Sequence, residues 1–228
     1  MHLELPNTRL ASLKDFARHY LMIVLSILTA LGLEAWIEHT HHAHAAAEAS
    51  QRMNSELHKV LDNIKQSTAM NKKNLAMLLA LDTQVSADLK ANLDNATINR
   101  KIQANRDNFL LNSNWPTMSS VAWDTALADQ SAGWLDANAL QRYSTAYTAE
   151  QELGTWLQHD STLVLNAPHL VDTLTDLQTV HPVDPYDFLR SLKQMEMMLS
   201  SMVSHLDYAA KRIAPAVDGS AVSKPAST

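Results

Sequence analysis

An uncharged apolar run near the N-terminus is the first feature of the hydrophobic pattern. It extends from Tyr20 to Leu33, and its 14 residues make about 21 Å of helix at ~1.5 Å per residue. A bilayer core needs about 30 Å, and extension to Ile37 gives about 27 Å with Glu34 near the outer interface. Tyr20 and Trp36 would lie at the interfaces, where aromatic side chains are common. The pattern predicts a transmembrane helix over residues 20–37.

The basic residues predict the orientation of this helix. Arg9, Lys14 and Arg18 precede the run, and the first Lys or Arg after it is Arg52. Because basic residues are retained in the cytoplasm, we expect residues 1–19 to form a cytoplasmic arm. The remainder would lie outside, so the predicted location is the inner membrane of a bacterium with the C-terminal domain in the periplasm.

Two alternatives to an uncleaved anchor remain open. A short apolar run after a basic region also suits a cleaved signal peptide, with Ala30-Leu31-Gly32 as the cleavage site. The run could also be a buried core helix of a soluble protein. We favour the anchor because the helical character continues through residues 34–38 without a break.

A long helical segment is expected to follow the membrane helix. No Pro or Gly occurs from residue 34 to residue 92, which predicts one very long helix or two helices with a weak joint. We assign residues 38–94 to a periplasmic stalk helix. Its apolar seam has a polar gap at Ser67, Asn71 and Asn74. The gap is either a solvated stretch or a local change of face, with Met70, Leu75 and Leu79 taking over the packing, or a buried Asn layer that sets the register or the oligomeric state. We favour the solvated stretch or change of face.

The pattern of apolar residues and helix caps over residues 95–213 predicts a helical bundle that packs on the stalk. Helices are expected from Ser119 or Ser120 to about Ser131, with Trp123 and Leu127 on one face, and from Ala137 to about His159. A short helix should start at Pro168, and a last helix should follow Asp184 as its cap. Residues 214–228, rich in Pro, Ala, Ser and Lys, should form a disordered tail.

The last helix has the most regular pattern in the chain. Eight apolar residues step by four and three: Phe188, Leu192, Met195, Leu199, Met202, Leu206, Ala209 and Ile213. Such a heptad seam can pair with the long helix or with a copy of itself. Met195, Met197, Met198 and Met202 could form an adaptable binding stripe, but ordinary core packing is the preferred interpretation. The fold class is therefore all-α: a transmembrane helix that continues into a long helix, followed by an extracytoplasmic bundle.

The composition and the missing motifs exclude several classes of function. The chain has 18 Lys and Arg against 24 Asp and Glu, and no basic patch is dense enough for nucleic acid. It has no Cys, no nucleophile elbow, no phosphate loop and no HExxH motif. Asp and Glu are scattered over the predicted helix surfaces, where solvated charge is their usual meaning. We therefore expect no enzyme and no bound cofactor, with one open question about a metal.

That question concerns the histidine cluster His39, His41, His42 and His44, just outside the predicted membrane helix. Imidazole binds zinc and other transition metals. On one helix His39 and His42 share a face, and His41 and His44 share another. A closed site would therefore need ligands from another helix or chain. Protonation of the cluster beside the lipid surface is a simpler response.

The arrangement resembles a group of uncharacterised bacterial single-pass inner-membrane proteins. The shared features are the anchor end, here Ile27-Leu-Thr-Ala-Leu-Gly-Leu-Glu-Ala-Trp36, and then a Trp-led helix (Ala122-Trp-Asp-Thr-Ala-Leu127) and a Tyr-bearing helix (Leu140-Gln-Arg-Tyr143 and Tyr147). The resemblance implies the topology and the helical fold. That group has no established activity.

Three functions are therefore considered, in this order. The first is protein–protein interaction or scaffolding, with the lipid bilayer, a second copy or another envelope protein as partners. The second is a periplasmic sensor of a ligand, a metal or pH that uses the histidine cluster. The third is a membrane-active or pore-associated subunit, with Ser26, Thr29 and Gly32 as a small-residue helix contact.

Overall fold

The computed structural model describes residues 13–109, 113–165 and 168–218, and it is all-helical over those ranges. Six α-helices follow one another there: α1 (Leu13–Lys90), α2 (Asn95–Ala104), α3 (Val121–Ala128), α4 (Ala137–Leu165), α5 (Pro168–Gln178) and α6 (Pro185–Asp218). Two short 3₁₀ helices, Arg106–Asn108 and Ser131–Trp134, lie between them.

Helix α1 is a single helix of 78 residues without a joint. Its N-terminal part is long and apolar enough to span a membrane, and the bundle covers none of that stretch. Every large apolar side chain from Phe16 to Ile37 except Val24 is more than half exposed. Beyond Ala46 the same helix carries buried residues at core spacing. The helix ends at Lys90, four residues before the predicted boundary, and Asn92 follows it with a left-handed φ of 54°.

Helices α1, α4 and α6 form the body of the bundle, with α6 antiparallel to both of the others. Two ion pairs show that α1 and α6 are antiparallel. Lys72 of α1 pairs with Asp207 of α6, and Asp82, further along α1, pairs with Lys193, which comes earlier in α6. The core has two parts. The part nearer the apolar end of α1 also contains α3, and the distal part contains α2 and α5.

The heptad seam of α6 is buried inside this bundle. All eight seam residues are at most 1% exposed, and α6 packs mainly on α1 and α4. Of the two pairings that the sequence allowed, the structure has the pairing with the long helix. The seam is therefore covered within one chain.

The predicted start of the disordered tail is wrong by five residues. Helix α6 continues through Pro215 to Asp218, although Pro lacks the N–H that a helix interior requires. Ala216 and Val217 are buried and extend the apolar stripe of Ile213 by one turn. Their burial offsets the missing hydrogen bond near the helix end. Residues 219–228 lie outside the described residues.

The predicted helix near residue 120 is also shorter than expected. Helix α3 ends at Ala128, before Gln130 takes a left-handed φ of 64°. Its buried face is formed by Ala122 and Ala126, whereas Leu127 is 52% exposed. Helix α4, in contrast, runs six residues beyond the predicted end at His159. The predicted start at Asp184 is confirmed, because its carboxylate accepts the backbone N–H groups of Tyr186 and Asp187.

An extended segment, residues 113–120, descends along α1 and connects the two parts of the core. Asn71 of α1 binds the backbone of Asn114 in both directions, at 2.9 and 2.8 Å. Two turns nearer the apolar end of α1, Asn63 donates to the carbonyl oxygen of Thr117 at 2.9 Å. Asn71 is fully buried while Met70 and Leu79 are 45% exposed. The preferred interpretation of the polar gap is therefore wrong at Ser67 and Asn71, which are buried, and the Asn71 amide pairs with the backbone of Asn114.

Candidate functional site

A partly buried polar network joins α1, α3 and α4 at the end of this extended segment. Its centre is Glu56 on α1, whose carboxylate accepts the Tyr147 hydroxyl at 2.9 Å and the Ser119 hydroxyl at 2.8 Å. It also accepts the backbone N–H of Ala122 at 3.1 Å. That N–H belongs to the first turn of α3, where the helix dipole favours a negative charge. Glu56 therefore holds the start of α3 against α1 and α4.

A second carboxyl, Glu150, lies one turn after Tyr147 on α4. It is only 6% exposed, and its Oε2 atom has no hydrogen-bond partner in the structure. Burial raises the pKa of Glu150 to about 7, and the backbone N–H of Ser119 opposes this rise. The negative charges of Glu56 and Asp124 add to it. Glu150 can therefore gain or lose a proton near neutral pH inside a folded bundle.

A cavity of about 570 Å³ borders this network. Its walls include Met118, Trp123 and Gln151, and the Trp123 ring stacks on Tyr147 with 5.4 Å between centroids. Burial and the neighbouring Glu56 carboxylate raise the pKa of Tyr147, so its phenol stays a proton donor. Chemically, the network can store one proton on Glu150 while Glu56 remains occupied by three donors.

This network was not predicted from the sequence, because Asp and Glu are usually solvated surface residues. A signal was present. Tyr143, Tyr147 and Glu150 follow one another by four and three residues on the apolar side of α4, so Glu150 occupies a core position of the heptad. Tyr143 is buried there and its hydroxyl donates to Ser50 Oγ at 3.2 Å.

The histidine cluster lies on α1 between its apolar part and the bundle. His39, His41 and His44 are exposed, whereas His42 stacks on Trp134 with 4.2 Å between ring centroids. Over the described residues, the structure places no three His, Asp or Glu side chains where they could share a metal ion. The described part of the chain thus brings no further ligand to the cluster, and a metal at His39, His41, His42 and His44 stays a prediction that requires ligands from another helix or chain.

Trp134 also covers the upper end of a groove on α1, which we call the junction groove. It has a volume of about 710 Å³ and is lined by Ala30, Leu33, Glu34, Ile37, Glu38, His41, His42 and Trp134. Its lower wall belongs to the predicted membrane helix, and its upper wall to the histidine cluster. The groove therefore crosses the boundary between apolar and polar parts of α1.

A second groove, the distal groove, lies on α6 at the other end of the bundle. It has a volume of about 790 Å³, and its apolar walls are Leu170, Leu189, Met195, Met197 and Met198. Arg190 and Lys193 line it as well. Met195 and Met202 are core residues, as the preferred interpretation held, but Met197 is 73% exposed. Only part of the methionine stripe is therefore available to a partner.

Comparison with protein-family models, with curated proteins and with solved structures gives no match, so the resemblance to single-pass inner-membrane proteins stays a prediction.

Proposed function

We propose that this protein is a single-pass bacterial inner-membrane protein with its N-terminus in the cytoplasm and its helical bundle in the periplasm. Support comes from the exposed apolar part of α1 and from the basic residues that precede it. Arg18 is the last of them, and the next basic residue is Arg52 within the bundle. Because Lys and Arg stay in the cytoplasm, this asymmetry favours translocation of the C-terminal side of the apolar segment.

We further propose that the bundle acts in protein–protein interaction or scaffolding. The observation that carries this proposal is the distal groove on a rigid support. Asp82 of α1 pairs with Lys193 at the groove at 2.7 Å, and it lies 45 residues beyond Ile37 on the same unbroken helix. At ~1.5 Å per residue the groove stands about 68 Å above the end of the membrane segment. Such a stalk would present a binding surface well away from the lipid.

The walls of the distal groove favour an apolar helix of another envelope protein as the partner. Methionine side chains adapt to different apolar shapes, and Met197 and Met198 border the groove beside Leu189. Arg190 and Lys193 at the groove already pair with acidic residues of the same chain, so the apolar side chains would carry the contact. Self-association through the α6 seam would require the bundle to open, since the seam is buried. We therefore place the interaction at the distal groove.

Site-specific photo-cross-linking in native membranes tests this proposal. A photoreactive amino acid replaces Met197 in the full-length chain, and the matched control carries it at Lys211, which is exposed on the same helix. We expect an adduct of one discrete mass from position 197 and none from position 211. Monomer alone at both positions would count against an interaction function.

A pH response is the second candidate, and one observation favours it. The pKa of Glu150 is raised to about 7 by burial, so the bundle itself would respond to pH near neutrality. In this form of the sensor alternative, Glu150 replaces the histidine cluster as the group that responds to pH. The pore-associated alternative gains less support, because the hydroxyls of Ser26 and Thr29 donate to carbonyls of their own helix at 2.8 Å.

A further inference from the structure

The junction groove has the position of a lipid-binding site if α1 is anchored as proposed. Ala30 and His42 mark its two ends, 12 residues or about 18 Å apart along the helix axis. Ile37 ends the predicted membrane span, and His42 lies about 7.5 Å beyond it, at the level of the lipid headgroups. The groove thus extends from the acyl-chain layer into the headgroup layer.

Trp134 supplies a feature that points to the bilayer. It is 39% exposed although its ring stacks on His42. The side chain belongs to the 3₁₀ helix Ser131–Trp134, which the bundle places against α1 at this level. Indole rings accumulate at the membrane interface, where one edge is apolar and the other is wet. Trp134 would therefore lie at headgroup depth, on a chain segment 98 positions away from Trp36.

The charges of the groove select among lipid headgroups. Glu34 and Glu38 line it one helical turn apart, and neither makes an ion pair within the residues that the structure describes. Two carboxylates favour a cationic group and oppose an anionic headgroup. His41 and His42 can donate imidazole N–H groups to a phosphate. Leu33 and Ile37 supply the apolar wall for an acyl chain.

We infer that the junction groove binds a phospholipid of the outer leaflet whose headgroup carries a primary ammonium group, such as phosphatidylethanolamine. The acyl chain lies along Leu33 and Ile37, and the ammonium group pairs with Glu34 and Glu38. Trp134 closes the upper end of the groove and seats the bundle on the bilayer. This inference rests on the proposed anchoring of α1.

The depth of Trp134 is the first measurement. The full-length protein is labelled with 5-fluorotryptophan and placed in nanodiscs, and each ¹⁹F signal is assigned from a single Trp→Phe variant. Lipids with a nitroxide at the top of the acyl chain then broaden the signals of nearby indoles. We expect broadening of Trp36 and Trp134 and none of Trp156, which contacts α6 inside the bundle. No substitution is present in the protein that is measured.

The headgroup preference is the second measurement. Native mass spectrometry of the protein released from equimolar phosphatidylethanolamine and phosphatidylcholine with identical acyl chains counts the retained lipids. We expect an ethanolamine preference of about threefold, the scale of exposed ion pairs, because a primary ammonium group donates hydrogen bonds to carboxylates and the trimethylammonium group of phosphatidylcholine cannot. The double variant Glu34→Gln, Glu38→Gln should retain both lipids equally. The control Glu48→Gln removes an exposed carboxylate of the same helix outside the groove and should keep the preference.

The outcomes separate the inference from the proposed function. Broadening of Trp36 without Trp134 would overturn the seating of the bundle and leave the anchor intact. If neither the Trp36 signal nor the Trp134 signal is broadened, both the seating of the bundle and the proposed membrane anchor are overturned. Broadening of Trp134 with equal retention of the two lipids by the unmodified chain would overturn the ammonium-selective site.

Discussion

Replacing Glu150 by Gln should remove a pH dependence of stability from the bundle. The side chain is 6% exposed, and one of its carboxyl oxygens has no partner. An ionised carboxylate in this position is costly, because water cannot solvate it and Glu56 and Asp124 repel it. Gln has nearly the same shape and stays neutral, and its carbonyl oxygen can still accept the Ser119 N–H.

The magnitude follows from proton linkage. Burial raises the pKa of Glu150 from its ordinary value of 4.5 to about 7 in the folded state. Between these values the folded protein binds a proton that the unfolded chain does not, so the free energy of unfolding falls as pH rises. The whole interval corresponds to about 3 kcal/mol as an upper bound. Glu150→Gln should therefore lie within about 1 kcal/mol of the natural chain at pH 5 and exceed its stability by up to about 3 kcal/mol at pH 8.

Urea unfolding of the full-length protein in mild detergent, followed by tryptophan fluorescence between pH 5 and 8, measures this difference. Other titrating groups, including the 11 histidines, act equally in both proteins and cancel in the comparison. Glu48→Gln removes the same charge from an exposed position of α1, and its difference from the natural chain should vary much less with pH. A stability difference for Glu150→Gln that is constant over this pH range would refute the reasoning.

Three further predictions use the same unfolding assay. Asn71→Ala removes both hydrogen bonds to the backbone of Asn114. It should lower the free energy of unfolding by about 2 kcal/mol, because it leaves buried backbone groups unpaired. An unchanged free energy would mean that water replaces the amide. Val180→Gly should raise it by about 1 kcal/mol, since Val180 has a left-handed φ of 57° that suits glycine; a loss of stability would show that no strain is present there. Phe188→Ala should lower the free energy of unfolding by about 3 to 5 kcal/mol, because the ring is fully buried, with 4.9 Å between its centroid and that of Phe109. A loss below about 1 kcal/mol would place that ring outside the core.

Much of the fold follows from local patterns in the chain. The helical start after Asp184 depends on residues next to one another, so it can be identified from sequence alone. The seam from Phe188 to Ile213 repeats by fours and threes, and every member is buried as that spacing predicts. The end of α6 was less predictable, because Pro215 favours a break while the burial of Val217 depends on distant residues.

The candidate site depended on contacts that no local pattern contains. Glu56 looks like a surface residue in the sequence, since its type is usually solvated, and the spacing that places Asn71 and Glu150 at core positions does not show what they bind. Their partners lie far along the chain: 91 positions separate Glu56 from the Tyr147 hydroxyl, and 43 separate Asn71 from Asn114. Only the folded bundle brings these groups together and removes water from around them.

The helical segments, the apolar end of α1 and the seam could thus be predicted from the sequence alone, because helix periodicity and hydrophobicity depend on a few neighbouring residues. The tertiary structure decided which polar side chains are buried, where Trp134 meets His42 and which methionines remain exposed. These outcomes depend on the packing of segments that are distant in sequence. Burial then changes the chemistry of the groups involved, as the raised pKa of Glu150 illustrates.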